Sequence, residues 1–377
     1  MKINIIANPF LYLPPNAIGA VEILWYDIAR ELSRNGHDVT VIGKGLSTCG
    51  CDENTASFSC ERLKGYTAGK NILWNIVLTA IFDFRVLWRM RKCDILVVNN
   101  FWGPIIPALF FFWKYRRLVY NAQRIPKRFF RFYGLLDGIC CPSFAVTELA
   151  KVMLPRVAAN RAVTIPNPID VKNFNVKVSP RRSMRDGLVI GYHGRVHPEK
   201  GLHILAEAVK HLNVDFPELR LLIIGAYDIA KGGGGDEYKA QLDQLAGNLI
   251  EWHPPISDRA ELAATLAGCH LYCYPSIAEL GETFGVSPLE AMGVGVPIVV
   301  SALSCFKDFV KDGKTGLVFD HRAEDPVSEL ASKLELLLSS KETRERIAAE
   351  GSKSASGFSN EEIALQYKKW FEELLKR

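Results

Sequence analysis

No apolar run in this 377-residue chain matches the length of a membrane span, for which a helix needs about 20 consecutive apolar residues. Residues 105–113 are too short, and 71–84 contain Asn75 and Asp83, so that stretch reads as a core or interfacial helix. The opening Met-Lys-Ile-Asn-Ile-Ile-Ala lacks the apolar length and small-residue cleavage site of a signal peptide, and reads as a strand. Nine cysteines, at 49, 51, 60, 93, 140, 141, 269, 273 and 305, form no C-x-x-C pair. That weakens a zinc or redox reading and fits reduced, buried thiols in a cytosolic protein. No two aspartates stand at D-x-D spacing, so the acidic pair that commonly holds a divalent cation is absent. The run Gly232–Gly235 lacks G-x-G-x-x-G spacing and does not directly follow a strand; it reads as a mobile loop or lid.

What is present is a chain of ordinary globular composition, 48% apolar and 23% charged, long enough for two domains. The net charge of +5 conceals an asymmetry: residues 1–170 hold 21 Lys+Arg against 12 Asp+Glu, the remainder 25 against 29. Residues 71–131 alone hold 11 basic and 2 acidic residues, interleaved with Trp74, Phe82, Phe84, Trp88, Trp102, Phe110, Phe111, Phe112, Trp113, Phe129 and Phe130. Such a stretch suits an anionic membrane surface or an anionic acceptor, or is simply a solvated basic rim over a core. No nucleic-acid recognition motif accompanies it.

Both halves alternate strand and helix. The first half has strands at 2–7, 38–42, 94–98, 117–120 and 138–141, with a helix over 21–34 on which Ile23, Leu24, Ile28 and Leu32 recur at helical spacing. The second has strands at 188–192, 219–224, 270–274 and 297–300, with helices over 201–212 and 258–266. This α/β pattern predicts two Rossmann-like, doubly wound parallel sheets. The expected boundaries are 1–175, a polar linker 176–185, and 186–359, with an amphipathic helix 360–377 to follow. Ligands of such sheets bind beyond the carboxyl ends of the strands, and a cleft between two facing domains is the expected site.

Several motifs carry chemistry. Gly194-Arg195-Val-His-Pro-Glu-Lys200-Gly201 joins a strand to a helix. Helix-end N–H groups, a guanidinium and an ammonium together suit a phosphate, although a solvated loop has the same composition. Glu282 and Glu290 stand at E-x7-E spacing around Phe284, Gly285, Val286 and Ser287. Carboxylates accept from sugar hydroxyls. Glu290 has a competing explanation, because Ser287-Pro-Leu-Glu290 is a capping box. Gly19, between the first strand and first helix, would allow close backbone approach to a ligand. Gln123, Arg124 and Lys127 could hold an anionic acceptor or be structural.

The E-x7-E element, the Arg195/Lys200 loop, the Gly19 turn and Ile165-Pro-Asn-Pro-Ile-Asp170 together resemble the retaining glycosyltransferases of GT-B fold, most closely glycosyltransferase family 4. The resemblance covers nearly the whole chain. It implies a first domain that presents the acceptor, with the terminal helix crossing back onto it, and a second that binds a nucleotide-diphosphate sugar, with UDP or GDP expected. It implies that Arg195 and Lys200 hold the diphosphate, that Glu290 accepts from ribose hydroxyls, and that Glu282 and the backbone of 284–287 engage sugar and phosphates. Arg195, Lys200 and Glu282 are thus the expected catalytic residues. Gly19, Gly194, Phe284, Gly285, Val286, Ser287 and Glu290 join them in donor binding, with no metal and no cofactor. The acceptor would be a glycan or lipid-linked hydroxyl at the inner membrane face, for cell-surface polysaccharide or glycolipid synthesis. Two departures stand out: Ala20 replaces the second glycine of the usual pair, and Gln123 stands where many members carry histidine. They motivate an alternative, a non-catalytic sugar-nucleotide-binding subunit. A nucleotide-sugar epimerase shares the fold but usually lacks E-x7-E.

Overall fold

The computed structural model describes residues 1–13, 19–45, 58–69, 71–100, 102–124, 131–154, 160–174 and 187–377. Lys127, the linker 176–185, Cys49 and Cys51 lie outside the described residues. The chain divides into two compact units, Met1–Pro168 with Asn360–Arg377, and Ile169–Ser359.

The first unit is built on β1 (Lys2–Ile6), β2 (Asp38–Lys44), β3 (Ser59–Leu63), β4 (Cys93–Val98), β5 (Tyr115–Asn121), β6 (Gly138–Cys141) and β7 (Ala162–Thr164). Their order is β3-β2-β1-β4-β5-β6-β7, every pair parallel. The second holds β8 (Leu188–His193), β9 (Leu219–Ile224), β10 (Ile250–His253), β11 (Leu271–Tyr274), β12 (Ile298–Ser301) and β13 (Leu317–Phe319). Their order is β10-β9-β8-β11-β12-β13, again all parallel. These are the two doubly wound sheets that the alternating pattern predicts. Parallel strands need crossover helices, which bury both sheet faces, and so the central strands are apolar almost throughout. Every residue of β8 is buried. In each sheet the strand order reverses once, between β1 and β4 and between β8 and β11. At such a point the crossovers leave in opposite directions and open a crevice at the strands' carboxyl ends.

The strands that sequence periodicity passed over are β3, β7, β10 and β13. They are the sheet edges, three to five residues long, and β3 and β7 are only partly buried. A short edge strand carries little of the apolar signal that identifies a buried one.

Helix Asn360–Lys376 packs on helix Ala20–Arg34 within the first unit. The rings of Trp25 and Tyr367 lie 5.0 Å apart, and a Cβ on Gly138 of β6 would come within 2.6 Å of Trp370 Cζ2. Ile363, Tyr367, Phe371 and Leu374 are buried with Ile3, Ile5 and Ile28 in one cluster.

Helix Ile72–Arg89 is apolar on two faces. Asn71 caps it, its side chain accepting from the Trp74 N–H. Phe82, Val86 and Leu87 are buried, whereas Ile72, Leu73, Trp74, Val77, Ile81, Phe84 and Trp88 are exposed. Phe110, Phe112 and Trp113 extend the exposed face. Among the described residues, no helix is long and apolar enough to cross a membrane.

On the inner face, Asp83 is buried and its Oδ1 has no hydrogen-bond partner. Burial pushes its carboxyl from 3.8 up to about 8. The folded chain therefore holds a proton that the unfolded chain releases, and the resulting stability is complete below about pH 4 and lost as pH rises to about 8. Asp83→Asn removes this linkage. Its stability advantage over wild type should grow from pH 4 to pH 8 and then level off, measured by urea denaturation at each pH. Parallel curves for the two proteins would refute a proton on Asp83.

Candidate functional site

The second unit gathers its polar groups at the carboxyl ends of β8 and β11. β8 ends at His193, and Gly194 follows at φ 142°, a conformation that favours glycine. The chain then runs through a short 3₁₀ turn, Pro198–Lys200, to Gly201 at φ 65°. A Cβ on Gly201 would lie 2.1 Å from the Pro275 carbonyl oxygen, so only glycine lets this loop press against the one that follows β11. The Ile277 N–H donates to the Glu199 carbonyl at 3.0 Å and joins the two loops.

This contact brings Lys200 and Glu282 together. Lys200 Nζ donates to Glu282 Oε2 at 2.7 Å, and the Tyr274 hydroxyl donates to the same oxygen at 3.1 Å. Both charged side chains are largely buried, 7% and 10% exposed. Tyr274 stacks on Tyr192 with ring centroids 5.6 Å apart. Burial holds the Tyr274 hydroxyl well above its ordinary pKa, so it remains a neutral donor.

Glu290 lies on helix Val286–Gly293, facing the end of β8, and its Oε2 is 2.8 Å from His193 Nε2. The capping-box expectation is corrected here. The helix begins one residue before Ser287, its N-cap is Gly285 at φ 91°, and no side chain caps it. Ser287 already sits inside the first turn, so the Glu290 carboxylate is free of a capping role. Glycine is needed at the cap, because a Cβ there would lie 2.5 Å from Phe306 Cε1. Phe284 is buried against Phe309 and Phe358, which leaves its backbone as the part able to meet a ligand.

Arg195 is the more exposed cation. Its Nη2 donates to Glu199 Oε1 at 2.7 Å and its Nη1 to the Gly232 carbonyl at 3.0 Å. The glycine run read as a mobile loop is a built turn. Gly232, Gly233, Gly234 and Gly235 each donate a backbone hydrogen bond, to Ile229, Asp228, Val196 and Tyr227. A Cβ on Gly233 would meet the Tyr227 backbone at 2.2 Å, which accounts for glycine there.

The first unit places its polar groups at the ends of β1, β4 and β5. Trp25 Nε1 and Asn121 Nδ2 both donate to Asn99 Oδ1, and Asn99 Nδ2 donates to the Ile6 carbonyl. Gln123 Nε2 donates to Asn121 Oδ1 at 3.1 Å and to Asn167 Oδ1 at 2.8 Å. Asn167 Nδ2 returns a bond to Gln123 Oε1 at 2.9 Å. Gln123 is therefore tied into a ladder of amides. Gly19 caps the first helix at φ 111°, and the place of its missing Cβ lies 2.5 Å from Glu22 Oε2. The glycine thus makes room for a buried carboxylate of its own chain. Burial raises the Glu22 carboxyl, opposed by the backbone N–H groups of Glu22 and Asn8 and by the positive field of exposed Arg124. Sequence reasoning passed over His193, Tyr274 and Asn99, which belong to no motif, and gave no role to Glu22 and Asn121, which stand in the Gly19 and Gln123 segments. Asn167 was inside a motif but had no role assigned.

Two family profiles together match most of the chain: Glycosyltransferase Family 4 over residues 21–173, and Glycosyl transferases group 1 over 178–354. The chain belongs to glycosyltransferase family 4. Among curated relatives, a phosphatidyl-myo-inositol mannosyltransferase of Mycobacterium leprae is 31% identical over 231 residues, 60% of this chain and 58% of that protein. A D-inositol 3-phosphate glycosyltransferase of Stackebrandtia nassauensis is 29% identical over 281 residues, 70% of this chain and 61% of that protein. The matched region thus spans somewhat under two thirds of these relatives. Among solved structures, sucrose-phosphate synthase of Thermosynechococcus elongatus superposes with a TM-score of 0.80 at 17% identity, covering 100% of this chain and 99% of that one. Anabaena HepE in complex with UDP and glucose gives 0.76 at 19% identity, covering 99% and 100%. These likenesses establish the GT-B fold for this family 4 chain.

A buried ion pair that loses one partner leaves an uncompensated charge, at a cost of about 3–5 kcal/mol. Lys200→Met and Glu282→Gln should each destabilise the chain by about that amount. The double variant should lose less than the sum, because neither charge is then stranded. A double-mutant cycle by urea denaturation measures this; strictly additive losses would show that the pair is not coupled.

Proposed function

We propose that this chain is a retaining glycosyltransferase that moves a sugar from a UDP- or GDP-linked donor to a hydroxyl of a glycan or lipid-linked acceptor. One observation carries the reading. Glu282 and Glu290 each have one carboxylate oxygen held by a neighbour, while no protein partner engages the other oxygen among the described residues. They stand beyond the end of β11, Glu282 on the loop and Glu290 on the helix that follows it, beside the loop after β8 that carries Arg195 and Lys200. Half-committed carboxylates are receptors for hydroxyls, as on a sugar and a ribose. The names of the relatives agree with a sugar donor and an inositol-bearing acceptor.

In this reading the donor diphosphate meets Arg195 and Lys200. The Arg195–Glu199 pair is half-exposed and easily exchanged for a phosphate. Lys200, beside Glu282, adds a second positive centre. As the bond from the anomeric carbon to the phosphate oxygen breaks, the acceptor oxygen attacks from the same face. The acceptor proton passes to the departing phosphate oxygen. The negative charge growing on that phosphate falls on Arg195 and Lys200, so no metal ion and no cofactor are required. Losing either cation should raise the barrier by about 2–4 kcal/mol.

Calorimetry of UDP, GDP and ADP in EDTA tests the donor site. One nucleotide should bind wild type and bind Arg195→Ala at least tenfold more weakly; no binding without a divalent cation would refute the metal-free site. With an α-configured donor the product should be α-linked, and a β-linked product would exclude retention. The saturated amide ladder around Gln123 favours a second reading, a nucleotide-binding subunit without its own chemistry. Nucleotide binding with neither transfer nor donor hydrolysis would support that reading instead.

The exposed face of Ile72–Arg89, with Phe110, Phe112 and Trp113, is proposed to rest on an anionic bilayer. Arg85 and Arg89 lie on this helix, Arg91 and Lys92 follow it, and Lys114 Nζ donates to the Trp88 carbonyl; a basic residue beside anionic lipid is worth about 1 kcal/mol. Phe84, Arg85, Trp88 and Arg89 line a recess of about 360 Å³ there. Vesicle binding should rise with anionic lipid, fall with salt, and be lost in the Trp74→Ser/Trp88→Ser double variant. Binding indifferent to lipid charge and salt would refute this surface.

A further inference from the structure

His193 is the last residue of the central strand β8, its backbone tied to Tyr272 and its ring buried between Tyr272 and Glu290. Its backbone N–H donates to the Tyr272 hydroxyl at 3.3 Å, and that hydroxyl approaches the His193 carbonyl at 3.4 Å. The two rings lie 5.4 Å apart at 58°. The residue is 7% exposed. Its Nε2 meets Glu290 Oε2 at 2.8 Å, and its buried Nδ1 has no hydrogen-bond partner. An ionised carboxylate can only accept, so Nε2 carries the proton and donates. A buried imidazole with one nitrogen unpaired is an unfavourable choice for a strand end, where an apolar side chain would fill the same space without cost. What the imidazole provides is the one bond to Glu290.

That bond has a directional consequence. Glu290 sits on the second turn of helix Val286–Gly293, and its carboxylate could rotate about the last side-chain torsion. With Oε2 held by a rigid ring, Oε1 has a fixed direction and no partner among the described residues. We propose that His193 is the positioning residue for the Glu290 carboxylate: it presents one oxygen to the 2′- and 3′-hydroxyls of the nucleotide ribose and so makes the site discriminate ribose from deoxyribose. The inference rests on the donor-site reading above, and it adds a residue outside every motif of the sequence and a selectivity that follows from it.

The test compares Kd values of UDP and 2′-deoxy-UDP, and of GDP and 2′-deoxy-GDP, for full-length wild type and variants. Wild type should prefer the ribose form of its nucleotide by at least tenfold. His193→Phe keeps the aromatic volume and removes the donor; it should reduce that preference to threefold or less, weakening the ribose form more than the 2′-deoxy form, which keeps only the 3′-hydroxyl. His193→Gln places an amide N–H at similar reach and should restore most of the preference. His193→Asn is too short to reach Glu290 and should behave like the Phe variant, which keeps the test available should the Phe variant fail to fold. A preference retained in both His193→Phe and His193→Asn overturns the inference and leaves the donor site standing. Equal weakening of both nucleotide forms shows a merely structural role and overturns it too. Failure of wild type to bind any of the four nucleotides removes the donor site itself, and the inference with it.

Discussion

A lysine and a glutamate that are both taken out of water must neutralise each other, and the arrangement of the second unit follows from that requirement. Lys200 and Glu282 stand on separate loops, after β8 and after β11. Their contact holds only if those loops lie against each other, which is why Gly201 presses on the Pro275 carbonyl. The Tyr274 hydroxyl then shares the same carboxylate oxygen, and the stacked Tyr192 fixes the Tyr274 ring. Remove the charge pair and the reason for the glycine, the tyrosine and the close loop contact goes with it. Desolvated ion pairs contribute little net stability compared with apolar packing. Their presence at the reversal point of a doubly wound sheet is better explained by the chemistry that a fixed ammonium and a half-engaged carboxylate can perform.

The two reversal points have opposite characters. In the second unit the groups are ionic and each retains unused capacity. In the first they are neutral amides that satisfy one another, from Trp25 through Asn99 and Asn121 to Gln123 and Asn167. A ladder of this kind is rigid and directional but carries no net charge, and a reciprocal amide pair must break before Gln123 can turn to anything else. A run of basic residues lies elsewhere in the first unit, on helix Ile72–Arg89 and just after it, at Arg85, Arg89, Arg91 and Lys92.

Much of this was legible in the sequence. Central strands such as 219–224 and 138–141 announced themselves, because a strand buried on both faces is a run of apolar residues and needs no partner to be recognised. The loop after β8 and the E-x7-E segment were visible because glycine, proline and charge punctuate them. What periodicity could not supply was pairing across distance. His193 looks like one more strand residue until Glu290, 97 positions later, is set beside it. Gly19 reads as an opening for a ligand until the Glu22 carboxylate is seen to fill the space. Ser287 fits the capping pattern in spacing, yet Gly285, held in a left-handed conformation against Phe306, starts the helix earlier. Each of these was settled by a tertiary contact that overrode a correct local rule.

Helix Asn360–Lys376 completes the core of the first unit, although its sequence follows the whole of the second. A ribosome delivers residues in order, at about 5–20 per second. The second unit, continuous from Ile169 to Ser359, is therefore whole before the first can bury Trp25 and Gly138 beneath Tyr367 and Trp370. Until then Trp25 and the place of the missing Gly138 side chain lack the cover that Tyr367 and Trp370 give them. The unit begun first is thus the one whose residues are completed last.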